Sequence, residues 1–154
     1  MIDLDLLNRT IVAAKAASYV GGGKTSPSSR EGSHDLAWTS GDWRYLDSYF
    51  GGTDFIGQEV LWFCGEPVWA MNYYGYITRA DLIDGTRAGD TIRAALSEMY
   101  RQGRFLGGFD WSGPSGVYRD RNEGDAFHFK GRETIAVAGT EAYALDYSGG
   151  LIRP

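Results

Sequence analysis

An α+β fold made of two internally duplicated helix-plus-antiparallel-sheet units, related by a pseudo-twofold axis, is the architecture this sequence predicts. Three observations carry the prediction. Residues 55–75 recur as residues 129–149 at a constant spacing: Glu59 and Glu133, Gly65 and Gly139, and Tyr73 and Tyr147 each lie 74 positions apart. Just upstream, Tyr45-Leu-Asp47 corresponds to Tyr118-Arg-Asp120 with one extra residue before the second block. Each block alternates apolar and polar residues around a glycine turn, as a β-hairpin does, and a stretch of helical periodicity precedes each block. The 154 residues suit a single compact domain, 1–154, with half 1 at about 1–77 and half 2 at about 88–152.

Leu4, Leu7, Ile11, Ala14 and Ala17–Ser18 recur at helical spacing, so a helix is expected over 3–18, ended by Gly21-Gly-Gly23. A polar loop, Lys24 to His34, follows. Asp35 to Thr39 reads as a short strand, and Trp43 to Phe50 as a second, with Trp43, Tyr45, Asp47 and Tyr49 on one face. The central hairpin turns at Cys64-Gly65-Glu66-Pro67. It places Glu59, Leu61 and Phe63 with Trp69, Met71 and Tyr73 on one face, expected to be core, and Ala70, Asn72 and Tyr74 on the other. Residues 78–86 read as a polar connector. Gly89-Asp90-Thr91 reads as the cap of a second helix running to about Gln102. A glycine- and aromatic-rich loop, Phe105 to Gly116, precedes strands expected at about 117–120, 125–130, 132–138 and 141–147.

Composition removes several function classes. The net charge is −5 and the sequence pI about 4.9, with no basic stripe, so duplex nucleic acid is not an expected partner. Cys64 is the only cysteine, which excludes an internal disulfide and fits a reducing cytoplasm. No apolar run approaches membrane length and no leader is read, so a cytoplasmic location without a membrane partner is expected. Two histidines and one cysteine provide no metal-ligand spacing, and no cofactor is implied.

The Lys24–His34 loop concentrates cations and hydroxyls: Lys24, Ser28, Ser29, Arg30 and Ser33. A Walker reading of Gly21-Gly-Gly-Lys-Thr25 fails, because the first glycine of that motif would fall at Ser18 and a helix precedes it. A weaker phosphate or carboxylate cradle from backbone N–H groups and these side chains survives. Tyr45, Asp47 and Tyr49 on the neighbouring strand face, with Tyr19, Glu59, Asn72, Tyr74 and Trp111, complete the candidate binding set. Glu59 opens an apolar strand face, where a carboxylate needs a partner.

Ala14-Lys15-x-x-x-Tyr19, Ser28-Ser-Arg-x-Gly-Ser33-x-Asp35-Leu36, Asp47-Ser-Tyr-x-Gly-Gly52, Phe55-x-Gly-Gln-Glu59 and Pro67-Val-Trp69-x-Met71-Asn72-Tyr73-x-Gly75 together resemble the bacterial family of unknown function DUF5680, over about residues 11–77. Members of that family often follow a helix-turn-helix domain, which implies a module that senses or binds a small molecule. No helix-turn-helix is read here, and no family activity is implied. The expected function is therefore non-catalytic binding of a small anionic or nucleotide-like ligand, as in sequestering a signalling molecule. Two other classes stand beside it: a hydrolase using Asp47 and Glu59, and a protein-interaction module, with homo-oligomers open. No nucleophile–base–orienter set is visible that would favour the hydrolase.

Overall fold

The computed structural model describes residues 2–22 and 25–153. Helix α1 (Leu4–Lys15) runs on into a π-helical segment, Ala16–Val20. The strands β1 (Thr25–Ser26), β2 (His34–Ser40), β3 (Trp43–Gly51), β4 (Phe55–Phe63) and β5 (Glu66–Ile77) follow, then α2 (Gly85–Arg101). The chain closes with β6 (Phe109–Gly113), β7 (Gly116–Asp125), β8 (His128–Val137) and β9 (Thr140–Leu151).

The predicted pair of helix-plus-sheet units is overturned. All nine strands form one continuous antiparallel sheet in the order β1-β2-β3-β4-β5-β9-β8-β7-β6. Strand makes up 51% of the described residues and helix 23%, so the molecule is one sheet carrying two helices. The physical reason is the ladder between β5 and β9, from Trp69↔Leu151 to Ile77↔Tyr143, which joins at their edges what sequence reading had kept as separate sheets. Pairing two edges satisfies rows of backbone donors and acceptors that would otherwise face solvent.

Local chemistry explains most of the elements. Asp3 caps α1, its carboxylate accepting the Leu6 N–H at 2.7 Å. Cys64 and Gly65 both take positive φ, 52° and 87°, as do Ala138 and Gly139 at 48° and 79°. A two-residue hairpin turn matching the twist of its strands requires that pair of conformations. Helix α2 starts earlier than the Gly89-Asp90-Thr91 signal suggests. Asp84 is the cap, accepting the Arg87 N–H at 2.8 Å. Gly85 and Gly89, which argue against helix by propensity, sit inside it, and a Cβ on Gly85 would lie 3.1 Å from Thr53 Oγ1. The strands expected at 125–130 and 132–138 are one strand, β8. The glycine-rich stretch after Phe105 contributes the edge strand β6.

Both helices cover the same face of the sheet. Beneath them Trp69, Leu61, Tyr45, Tyr118, Ile135 and Phe129 are buried with Leu7 and Ile11 of α1 and Ile92, Ala95 and Met99 of α2. The other face of the sheet is open: Ile56 and Tyr74 are 55% and 46% exposed. Among the described residues, no helix is long and apolar enough to cross a membrane.

Candidate ligand cavity

Strand register gathers acids that are far apart in sequence. Asp47 of β3 pairs with Glu59 of β4, and Asp120 of β7 pairs with Glu133 of β8. All four point to the helix-covered face and are 3–7% exposed. They line a cavity of about 260 Å³ between the sheet and the helices. Its walls include eight tyrosines (19, 45, 49, 73, 100, 118, 143 and 147), with Met71 and Leu145 over the central strands and Ala88, Ile92 and Leu96 from α2. Among the described residues, no group of three or more His, Cys, Asp or Glu side chains is arranged to hold a metal ion.

Each acid has named partners. Lys15, buried at the end of α1, places its ammonium 2.8 Å from Glu59 Oε1 and 2.6 Å from Oε2. Only the first contact has hydrogen-bond geometry, so Oε2 is held by charge alone. The Tyr73 hydroxyl donates to Asp47 Oδ1 at 2.5 Å, and Tyr147 to Asp120 Oδ1 at 2.7 Å. Glu133 receives two phenols, Tyr118 at 2.5 Å and Tyr143 at 3.0 Å.

Glycines make these reaches possible. Tyr73 lies across Gly57, where a Cβ would fall 2.4 Å from the hydroxyl, and Tyr147 lies across Gly131, with 2.2 Å to its ring. Phe55 lies across Gly75 in the same way, and Phe129 across Gly149. Only glycine leaves room for an aromatic ring to cross the neighbouring strand and meet the aspartate beyond it.

Burial sets the electrostatics. It pushes Asp47 up to about 7, helped by the nearby Glu59 and opposed by Tyr73 and Lys15. Glu133 rises to about 7, again through burial first, against the two phenols. Asp120 rises to about 6, burial outweighing the Tyr147 hydrogen bond. Strongly perturbed acids lining a cavity make it the candidate functional site.

These shifts have a sign that stability should report. A carboxyl with a raised native pKa holds its proton after the unfolded chain has released it. Its contribution therefore falls as pH rises from about 4 through 7. Replacing Glu133 with Gln removes one such group and keeps the shape. Glu133→Gln should be more stable than the wild type by about 1–3 kcal/mol at pH 8, a gap that shrinks towards pH 5. Urea titrations at the two pH values check this, and a gap independent of pH would mean that Glu133 does not titrate between them.

The structure sorts the residues expected from sequence to bind. Tyr19, Tyr45, Asp47, Tyr49 and Glu59 line the cavity together. Tyr19 reaches it from the π-helical segment and lies 6.0 Å from the Arg93 guanidinium at the rim. Ser28, Ser29, Arg30 and Ser33 do not line it. Their polar groups turn inward on Asp35 and Ser48: Ser29 N–H and Ser33 Oγ each donate to Asp35 at 2.8 Å, and Ser48 Oγ donates at 2.7 Å. Arg30 donates to Ser48 Oγ at 2.8 Å and packs over Phe50. Burial works to raise Asp35, but these hydrogen bonds overcome it and leave the carboxyl lowered to about 2. Among the described residues, the polar groups of Ser29, Arg30 and Ser33 are thus engaged within the loop and with β3. Lys24 lies outside the described residues. Asn72 and Tyr74 are on the open sheet face, with Asn72 accepting from Gln58 and Tyr74 stacked on Tyr76. Trp111 packs half-buried against the core, away from the cavity wall.

Sequence reasoning missed Lys15, Asp120, Glu133 and most of the tyrosine wall. A lysine within the Leu7–Ile11–Ala14 stripe was a visible signal, because a cation on an apolar helix face needs a buried partner.

No curated protein and no solved structure matches the chain. The family model for the domain of unknown function DUF5680 matches residues 47–152. The match takes in Asp47, Glu59, Asp120, Glu133 and six of the eight wall tyrosines, while Lys15, Tyr19 and Tyr45 lie before it. The motifs that carried the resemblance before residue 47 fall outside it, and the second hairpin falls inside. With more than half of its length matched, the chain belongs to the DUF5680 family.

Proposed function

We propose that this protein is a non-catalytic module that binds a small organic cation in the cavity beneath its two helices. One observation carries the reading: four buried carboxylates and a wall of tyrosines surround a cavity in which Lys15, among the described residues the one buried ammonium, is already held by Glu59. Carboxylates and aromatic faces both attract cations, and the attraction strengthens out of water. The volume lies just below the range of roughly 300–1,000 Å³ that drug-sized ligand sites occupy, which suits a small ligand.

The anionic or nucleotide-like ligand expected from the Lys24–Ser33 loop fits this space poorly. A phosphate would meet Asp47, Asp120 and Glu133, while Arg30 is occupied by Ser48. A hydrolase using Asp47 and Glu59 is also less favoured, since Asp47 is engaged by Tyr73 and Glu59 by Lys15, and the described lining adds no serine, cysteine or histidine as nucleophile. A cavity whose acids are each held by tyrosine or lysine partners suits holding a ligand, as in sequestering a signalling molecule.

Titration calorimetry with three probes tests the reading: benzyltrimethylammonium, benzoate and adenosine monophosphate. The cation should bind and the two anions should give no heat of binding. Equal or tighter binding of either anion would overturn the proposal.

A further inference from the structure

The cavity reading above leaves open which cations fit, and the acids themselves narrow the choice. Asp47 and Asp120 are 5% and 3% exposed. Each commits Oδ1 to a tyrosine, and among the described residues no side chain donates to either Oδ2. Neither Oδ2 is sealed in. Among the described residues, Glu59 Oε2 is the side-chain atom that is both fully enclosed and without a hydrogen-bond partner. The second oxygens of Asp47 and Asp120 therefore keep access to the cavity that both residues line.

Among the described residues, no cationic side chain donates to either of them. Lys15 is forked on Glu59. Arg121, next to Asp120 in sequence, donates to Asp110 at 2.9 Å and to main-chain carbonyls. Arg93 at the rim donates to Asp90 at 2.7 Å. A buried carboxylate with an unfilled acceptor costs free energy that a donor on a ligand recovers.

The two aspartates flank an apolar centre. Along one ladder row Asp47 pairs with Glu59 and Glu59 with Met71. Along another, Asp120 pairs with Glu133 and Glu133 with Leu145. Met71 and Leu145 belong to the central strands β5 and β9 and line the cavity between the acidic flanks. We propose that the cavity takes an organic dication, with one ammonium end on Asp47, the other on Asp120, and an apolar spacer across Met71 and Leu145.

Calorimetry with α,ω-diaminoalkanes of increasing length, each against the n-alkylamine of equal carbon number, tests this. At the chain length that spans the two acids, the diamine should bind about tenfold or more tighter than its monoamine, the worth of one charge-assisted contact. Asp47→Asn and Asp120→Asn, each checked by thermal melting, should each bring the diamine down to the monoamine level. A monoamine has either acid to choose from, so one substitution should cost it no more than about twofold, on statistical grounds. If diamines and monoamines bind alike at every length, the dication proposal fails and the organic-cation reading stands. If neither they nor benzyltrimethylammonium bind, both fail. The wild-type series decides the matter even if an Asn variant does not fold.

Discussion

Trp69→Ala is expected to lower the stability of the fold by about 3–5 kcal/mol. Trp69 is fully buried on β5, where the central strand meets the rest of the sheet. Its ring stacks on Phe129 at 5.9 Å between centroids and meets Phe105 edge-on at the same distance. Its indole N–H donates to the Ala126 carbonyl at 3.0 Å, in the β7–β8 turn. Truncation would therefore open a void beside two rings and orphan a buried carbonyl, two costs that add. Trp69→Phe keeps most of the volume and loses only the hydrogen bond, so it should cost about 1–3 kcal/mol. Urea denaturation of both variants gives the comparison. A loss below about 1 kcal/mol for the alanine variant would mean that the aromatic cluster repacks around the gap.

The parts of this structure that were legible in the sequence are those set by neighbours in the chain. The β4–β5 hairpin was readable because alternation and the Cys64-Gly65 turn are local, and its core face is the one expected, with Trp69 and Leu61 fully buried. The continuous sheet was not readable, because the β5–β9 ladder joins residues such as Tyr73 and Tyr147 across 74 positions and leaves no local mark. The start of α2 was misplaced because Asp90-Thr91 imitates a cap while Asp84, the actual one, sits in a polar connector.

The candidate site divides along the same line. Tyr45, Asp47 and Tyr49 could be placed on one strand face by alternation alone, and they do line the cavity. The loop of Ser28, Ser29, Arg30 and Ser33 looked like an anion cradle because its composition says nothing of where its donors go. They go to Asp35 and to Ser48, the latter 18 residues from Arg30, a pairing that only the β2–β3 ladder creates. Charge composition is silent in the same way about which side chains meet. An acidic chain with one cationic loop suggests an anion site in that loop, whereas register collects four acids into the cavity and the described loop side chains turn to Asp35 and Ser48.

Lys15→Met should be about as damaging as the loss of the tryptophan, for an electrostatic reason. The Lys15 side chain is 7% exposed and that of Glu59 8%, so the pair sits out of water. The ammonium also lies 5.7 Å from the centre of the Phe105 ring, so the two large effects share one neighbour. Removing a single partner leaves Glu59 as an uncompensated carboxylate beside Asp47, and breaking a buried pair in this way costs about 3–5 kcal/mol. Replacing both partners is different in kind. Lys15→Met combined with Glu59→Leu removes the charge that needed compensation, and apolar substitutes of similar volume are often neutral in such positions. The double variant should therefore recover most of the loss, to within about 1 kcal/mol of the wild type. The four-way comparison by urea denaturation isolates the coupling between the two residues. A double variant no more stable than Lys15→Met alone would show that Lys15 matters for its packing on Phe105, and not for the charge it supplies to Glu59.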